Sequence, residues 1–229
     1  MDPSPSCEHR RVQAFPSDND ETLIREQIQF YRARAPQYPQ SVGPDDAVDD
    51  WVLASCPPST HCLELASGSG LWTRPLLRVC QRITAVDASA EMHARNRTRN
   101  GDTRVEYVEA NLFDYRPHAK YDLVFAGFWL SHVPPARFRS FWSMVADALA
   151  PGGRVVMVDD GIRDAQGVPS FASDPTGAGA KRRLPDGREF TIVKVAYAPQ
   201  ELEALLAALG WTAKVTLLSP VSYVLEAHR

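Results

Sequence analysis

Apolar residues recur along the chain in two alternating rhythms. Short, nearly continuous apolar runs predict buried strands, and they occupy residues 61–66, 82–88, 104–110, 121–130 and 153–160. Segments with the apolar spacing of helices separate the runs, at residues 70–80, 89–100 and 134–150. Strands that alternate with helices are typical of a parallel sheet covered on both faces. We therefore expect an α/β fold.

The N-terminal part of the chain follows a different pattern. Asp18 and Glu21 resemble a capping box that opens an amphipathic helix through residue 35. A second helix is expected from Asp45 past Trp51. Residues 1–20 are polar, lack the apolar core of a signal peptide and are expected to be disordered.

The C-terminal part also departs from the alternation. Two strands around Asp186-Gly187 predict a β-hairpin over residues 181–196. A helix at residues 199–210 and strands at 211–218 and 221–227 follow. Residues 21–229 are thus expected to form one domain with an added hairpin.

Composition narrows the classes of function. The formal net charge of -3 and the pI of about 6.1 indicate no basic surface for nucleic acid. No stretch approaches the ~18 apolar residues of a membrane span. The four cysteines (Cys7, Cys56, Cys62 and Cys80) match no metal-binding spacing. A reduced cytoplasmic protein without a bound metal is therefore expected.

The stretch LELASGSGLWT, residues 63–73, indicates a ligand site. Glu64 lies inside an apolar strand, where a carboxylate must be paired, and Gly68 and Gly70 follow in a loop. Ligands of open parallel sheets bind beyond the carboxyl ends of the strands. A dinucleotide loop needs a third glycine where Thr73 stands, and a P-loop is excluded because no Gly-Lys-Ser/Thr follows.

Asp87 ends the next predicted strand, in AVDAS. A carboxylate there can accept both hydroxyls of a ribose, although an aspartate in this place also commonly caps a helix. In combination, Glu64, Gly68, Gly70 and Asp87 form a more specific pattern than any of them alone.

With these motifs in this order, the chain from Glu21 onward resembles the class I S-adenosylmethionine-dependent methyltransferases. The resemblance implies a Rossmann-like fold with a mainly parallel seven-stranded sheet and S-adenosyl-L-methionine as the cofactor. Glu64 would orient its ammonium group, Asp87 would hold the ribose, and Met92 and Asn111 would contact the adenine. The implied cofactor residues are Tyr31, Glu64, Ala66, Gly68, Gly70, Thr73, Asp87, Ala88, Met92, Asn111, Leu112 and Gly127.

The acceptor is expected beyond the fourth strand, in FAGFWLSHVP. Phe128 and Trp129 would line its pocket. His132 is either a general base for a hydroxyl acceptor or a structural or positioning residue. No Asn/Asp-Pro-Pro-aromatic motif is present, which disfavours methylation of an exocyclic base nitrogen or a glutamine amide.

Four phrases (FYRARA, ELASGSGLWT, HVP and REFTIVKV) are similar to those of the phosphonate O-methyltransferases of dehydrophos biosynthesis. This resemblance implies a small anionic acceptor bound by Arg182 and Lys194. Residues 21–56 would form a helical lid whose Tyr31 and Tyr38 close over cofactor and acceptor. The alternative is that these helices pack on the sheet for stability alone.

The hairpin sequence leaves its register open. Alternation puts Phe190, Ile192 and Lys194 on one face, and a lysine there needs an internal acid or a ligand anion as partner. A two-residue turn at Asp186-Gly187 would place Arg183 opposite Phe190. A three-residue turn that begins at Pro185 would place Arg182 there instead.

The expected function is O-methylation of an acidic small molecule, a phosphonate or carboxylate, in natural-product biosynthesis. The alternatives are N- or C-methylation of a small molecule, or O-methylation of a neutral hydroxyl with His132 as base. A nicotinamide-dependent oxidoreductase and a non-catalytic cofactor binder are rivals of other classes. The expected partner is the small-molecule acceptor, and a homodimer is left open.

Overall fold

The computed structural model describes residues 18–37, 46–160, 162–163, 169–170, 179–220 and 222–229. Its strands are β1 (Ser59–Leu65), β2 (Cys80–Asp87), β3 (Val105–Glu109), β4 (Tyr121–Gly127), β5 (Leu149–Asp160), β6 (Ile162–Arg163), β7 (Pro169–Ser170), β8 (Ala180–Arg183), β9 (Glu189–Ile192), β10 (Thr212–Ser219) and β11 (Ser222–His228).

Two of the described helices precede β1, and the other four lie in connections between strands. The helices are α1 (Asp18–Arg34), α2 (Asp46–Ser55), α3 (Thr73–Leu76), α4 (Ala90–Asn100), α5 (Phe138–Ala148) and α6 (Pro199–Ala207). Short 3-10 turns lie at Ala35–Gln37, Leu130–His132 and Pro135–Arg137. Within the described ranges no helix is both long and apolar enough to cross a membrane.

Seven strands form the main sheet, in the order β10-β11-β5-β4-β1-β2-β3. β1 to β5 are mutually parallel, whereas β11 runs antiparallel to β5 and β10. The order switches direction between β1 and β4, where a crevice opens at the strand ends. Leu63 and Phe125 at the sheet centre are 0% exposed, which explains the continuous apolar runs. The predicted Rossmann-like fold is confirmed.

Several predicted boundaries were wrong, including that of the helix expected at 134–150, which shortens to α5 because β5 already begins at Leu149. The helix expected at residues 70–80 shortens to α3, after which tight turns lead directly into β2. The strand expected at 121–130 ends at Gly127, because Phe128 takes a φ of 56° and turns the chain into a 3-10 segment. α1 begins at Asp18, so the end of the predicted tail is helical, and residues 1–17 lie outside the described residues.

The N-terminal helix is joined to the hairpin that β8 and β9 form. Phe30 packs edge-on against Phe190, with ring centroids 5.7 Å apart, in a small apolar cluster with Leu184 and Ile192. Gln27, 2% exposed, donates to the carbonyl of His132 at 3.3 Å and accepts from the amide of Val193 at 3.1 Å. α1 is thereby fixed above the carboxyl ends of the strands.

Candidate functional site

A cavity lies at the carboxyl ends of β1, β2 and β4, beneath α1. It gathers most of the site residues that the sequence predicted: Tyr31, Ala66, Gly68, Asp87, Ala88, Met92, Asn111, Leu112, Gly127, Phe128, Trp129 and His132. Others had not been assigned to the site: Ile24, Gln27, Ile28, Ser67, Ser69, Leu71, Trp72, Ser89 and Phe113. The i, i+4, i+7 spacing of Ile24, Ile28 and Tyr31 is the signal that could have identified the wall built by α1.

Asp87 lies at the end of β2 and links the glycine loop to α4. Its Oδ2 accepts from the amide of Gly68 and its Oδ1 from that of Ser89, both at 2.9 Å. Ser89, not Asp87, caps α4, because its hydroxyl accepts from the amide of Met92 at 3.1 Å. Burial raises the pKa of Asp87 to about 6, against the opposing effect of the backbone N–H donors. At neutral pH this is a carboxylate acceptor facing the cavity.

The two loop glycines have different tasks. At Gly68 (φ +51°) a Cβ atom would meet only the carbonyl of Ala66, at 3.9 Å. At Gly70 (φ +81°) a Cβ atom would lie 2.3 Å from side-chain atoms of both Asn96 and Asn100. Gly70 therefore makes room for side chains of α4 and does not line the cavity, whereas Gly68 borders it.

Glu64 and Thr73 lie behind the loop rather than in the cavity wall. Thr73 donates to Oε2 of Glu64 at 2.7 Å and accepts from the amide group of Asn96 at 2.8 Å. Glu64 is 1% exposed, and its Oε1 has no hydrogen-bond partner among the described residues. Burial raises the pKa of Glu64 to about 8, so the carboxyl group is mainly protonated at neutral pH. The expected contact between Glu64 and the ammonium group of the cofactor stays a prediction.

Glu64 should make the free energy of unfolding pH-dependent. Because its pKa in the fold is raised from 4.5 to about 8, the folded state holds more protons than the unfolded state. Its stabilising contribution is complete below about pH 4.5 and disappears as the pH rises through about 8, at about 1.4 kcal/mol per pKa unit. We expect Glu64→Gln, which cannot ionise, to lack this decline, so that its free energy of unfolding relative to that of the wild type increases between pH 5 and 8.

Urea unfolding at pH 5 and at pH 8 measures the free energy of unfolding of the wild type and of Glu64→Gln. Glu201→Gln, on the exposed start of α6, is the matched control and should follow the wild type. Parallel pH profiles of the wild type and Glu64→Gln would contradict the proposed protonation.

Asn111 is held in a turn at the edge of the cavity. Its Oδ1 accepts from the amide of Phe113 at 3.2 Å and its Nδ2 donates to Asp114 at 2.7 Å. It is therefore a turn residue that also borders the cavity. On the same side, Arg32 of α1 donates to the carbonyl of Ala88 at 2.7 Å.

His132 is held by hydrogen bonds at both ring nitrogens. Its Nδ1 lies 2.7 Å from the carbonyl oxygen of Val193, which can only accept, so Nδ1 carries the proton. Nε2 is therefore the acceptor of the Tyr31 hydroxyl, 3.0 Å away. Burial, and next the charge of Lys194, lower the pKa of His132 to about 3. The geometry favours the positioning role, because the basic lone pair is already engaged.

Lys194 has an internal acid as its partner. This is one of the two partners expected from the sequence, the other being a ligand anion. Its Nζ donates to Oγ of Ser131 at 2.8 Å and lies 3.9 Å from Oδ1 of Asp159. The chain is no longer a strand at this point, since β9 ends at Ile192. Lys194 does not border the cavity described above, although its charge is one cause of the lowered pKa of His132.

Arg182 takes the place that a three-residue turn predicts, opposite Phe190. It is exposed, donates to the carbonyl of Lys181 at 3.1 Å and does not border the cavity. Its positive charge nevertheless contributes to lowering the pKa of His132, as does that of Arg34. Tyr38 lies outside the described residues.

Two aromatic side chains form the wall at the end of β4. Phe128 is 38% exposed, and its ring centroid lies 5.7 Å from that of Trp72. A Cβ atom at Gly127 would lie 2.0 Å from Nε1 of Trp72. Gly127 is thus required for the indole to pack against the strand, a constraint that the sequence did not reveal.

Comparison with known proteins supports a methyl-transfer site. A family model described as a methyltransferase domain matches residues 62–153. No curated protein matches the chain. A solved complex of DhpI with SAM and HEP is 38% identical, with a TM-score of 0.80, over 94% of this chain and 100% of that one. The DhpI–SAH complex gives 38% identity and a TM-score of 0.78 over 91% and 97%.

A more distant structure shares the fold. It is the 1,6-didemethyltoxoflavin-N1-methyltransferase of Burkholderia thailandensis, bound to 1,6-didemethyltoxoflavin and S-adenosylhomocysteine. The identity is 18% and the TM-score 0.64, over 94% of this chain and 91% of that one.

Proposed function

We propose that this chain, which belongs to the class I S-adenosylmethionine-dependent methyltransferases, methylates an oxygen atom of a small acidic metabolite. The acceptor would be a phosphonate or carboxylate of specialised metabolism. S-adenosyl-L-methionine is the cofactor, as in the related structures, and it supplies an electrophilic methyl group on a sulfonium. Family membership sets aside the nicotinamide-dependent oxidoreductase and the non-catalytic binder.

The cavity residues suit this cofactor. Asp87 offers carboxylate oxygens to the ribose hydroxyls, and Gly68 leaves open space for the amino-acid part. The buried side chains of Met92 and Leu112 offer apolar surface to the adenine. Glu64 would act through the loop, by way of its hydrogen bond with Thr73.

The proposal of an acidic acceptor rests on one observation: the surroundings of His132 supply positive charge and no free base. Both nitrogens of His132 are hydrogen-bonded, and its pKa is lowered to about 3, in part by Lys194, Arg182 and Arg34. An anionic oxygen is already a nucleophile and needs alignment more than proton removal. Nearby cations attract and orient such an acceptor.

A neutral hydroxyl acceptor is the second candidate. The Tyr31 hydroxyl reaches Nε2 of His132 at 3.0 Å, so an acceptor hydroxyl that displaced Tyr31 would meet a basic nitrogen. This route requires a histidine whose pKa is far below neutrality to take the proton, which makes it the weaker candidate.

The helices of residues 21–56 would act as a lid. α1 borders the cavity through Ile24, Ile28 and Tyr31, and Arg32 fixes it to the loop after β2. Entry of cofactor and acceptor would require these contacts to open. We place the enzyme in the cytoplasm, in accord with three free buried cysteines (Cys56, Cys62 and Cys80), and leave a homodimer as a proposal.

A panel of matched acceptors tests the proposed function. The full chain is incubated with S-adenosyl-L-methionine and a short alkylphosphonate, carboxylate, alcohol or amine of the same carbon skeleton. Release of S-adenosylhomocysteine and the mass of the product are measured. We expect turnover of the phosphonate or carboxylate and none of the alcohol. Preferential methylation of the alcohol or the amine would contradict the proposal.

A further inference from the structure

A buried carboxylate at the end of β5 has no part in the site described so far. Asp159 is 0% exposed. Its Oδ2 accepts from the amide of Ser131 at 2.8 Å and its Oδ1 from the amide of Asp160 at 2.7 Å. The same Oδ1 lies 3.9 Å from Nζ of Lys194. Since a buried charge is costly unless it is compensated, this arrangement requires a reason.

Ser131 connects this carboxylate to the acceptor side of the cavity. It is 1% exposed, and its amide, hydroxyl and carbonyl bind Asp159, Lys194 and the amide of Val195 respectively. The next residue is His132, whose Nδ1 binds the carbonyl of Val193. Asp159 therefore stands where the turn that carries His132 meets the segment around Lys194.

The ammonium group of Lys194 retains capacity to bind a ligand. It has three donor hydrogens, and the hydrogen bond to Ser131 is the one it makes among the described residues. Its approach to Asp159, at 3.9 Å, is an ion pair without a hydrogen bond. The side chain is 15% exposed. An acceptor anion beside His132 could thus receive a charge-assisted hydrogen bond.

We infer that Asp159 is a positioning residue, which with Ser131 fixes the Lys194 ammonium group beside His132 so that it binds the anionic group of the acceptor. The inference rests on the proposed function. The contrasting possibility is that Asp159 and Lys194 form an internal pair with no task beyond stability.

A double variant separates positioning from stability. Lys194→Met alone leaves the Asp159 carboxylate buried without its cation, which destabilises the fold. Asp159→Asn/Lys194→Met removes both charges and should recover part of the lost Tm, because an asparagine amide keeps only one of the two oxygens that accept from the amides of Ser131 and Asp160. We expect the KM for a short alkylphosphonate to rise about 10- to 100-fold in Asp159→Asn, as for loss of a charged hydrogen bond. The double variant lacks the ammonium group itself, so its KM should be at least as high as that of Asp159→Asn although its Tm exceeds that of Lys194→Met. The Kd for S-adenosylhomocysteine should be unchanged in both.

Two further variants complete the experiment. Ser131→Ala removes the hydrogen bond to Lys194 without a change of charge and should also raise the KM. Asp122→Asn is the matched control, because that carboxylate likewise binds backbone amides, those of Thr60 and His61, but at the opposite end of the sheet. Its KM should be that of the wild type.

A wild-type KM in Asp159→Asn, or in a double variant whose Tm has recovered, would overturn the inference. If instead the wild type methylates no anionic acceptor, the proposed function itself fails, and the inference with it. The two failures are thus distinguished by the activity of the wild type.

Discussion

Replacement of Asp87 by alanine is expected to weaken binding of S-adenosylhomocysteine by about 1.5–3 kcal/mol, a loss of roughly 10- to 150-fold in affinity. The carboxylate would accept the ribose hydroxyls, and it also holds the amides of Gly68 and Ser89. The variant therefore loses both a ligand contact and the anchor of the glycine loop. Isothermal titration calorimetry measures the affinity directly.

The pH dependence of the same affinity gives a second test of Asp87. Its pKa is raised to about 6 by burial, and the ionised form is the better acceptor. Affinity should therefore fall as the pH drops below about 6, and Asp87→Asn should not show this decline. Asp186→Ala, in the exposed hairpin turn, is the control. Equal affinities of the wild type and Asp87→Ala would remove Asp87 from the cofactor site.

Replacement of His132 by asparagine is expected to lower kcat for an anionic acceptor by less than tenfold, whereas removal of a general base typically costs ~10²–10⁴-fold. An asparagine amide can still donate to the carbonyl of Val193, the partner of Nδ1. Because the pKa of His132 is about 3, the rate of the wild type should show no acidic limb from this group between pH 5 and 8.

Lys194→Met provides the comparison for His132→Asn. It should raise the KM for the anionic acceptor or abolish turnover while binding of S-adenosylhomocysteine persists. Steady-state kinetics of both variants across pH distinguishes the two chemistries. If Lys194→Met has the kinetics of the wild type and His132→Asn is inactive, the anionic-acceptor proposal is wrong. The enzyme would then methylate a neutral hydroxyl with His132 as the base.

The sheet and the position of the glycine loop were predictable because they depend on local patterns. Continuous apolar runs identify strands buried on both faces, and the loop with Gly68 lies directly after one of them. Asp87 could be placed for the same reason, since the ends of neighbouring parallel strands share one edge. The predicted helix at 70–80 failed, because periodicity did not reveal that the chain turns towards β2 after Leu76.

The parts that were missed depend on contacts between distant segments. Lys194 and Asp159 approach to 3.9 Å across 35 positions of sequence, and no local pattern indicates which acid a lysine will meet. The space at Gly70 is filled by Asn96 and Asn100, not by a ligand. The position of Arg182 depends on one residue of turn length, since adding a residue to a hairpin turn exchanges the faces of the strand.

The fate of the transferred methyl group tests the central claim most directly. The full chain is incubated with S-adenosyl-L-methionine labelled with carbon-13 on the methyl group and with a short alkylphosphonate, and the product is examined by carbon and phosphorus NMR. We expect a labelled methyl group on a phosphonate oxygen, recognised by its coupling to phosphorus through that oxygen. The opposite result would contradict methylation of an anionic oxygen. In that case a chain that binds S-adenosylhomocysteine would yield no labelled oxygen ester from either a phosphonate or a carboxylate, and would instead label nitrogen or carbon of an amine or another acceptor.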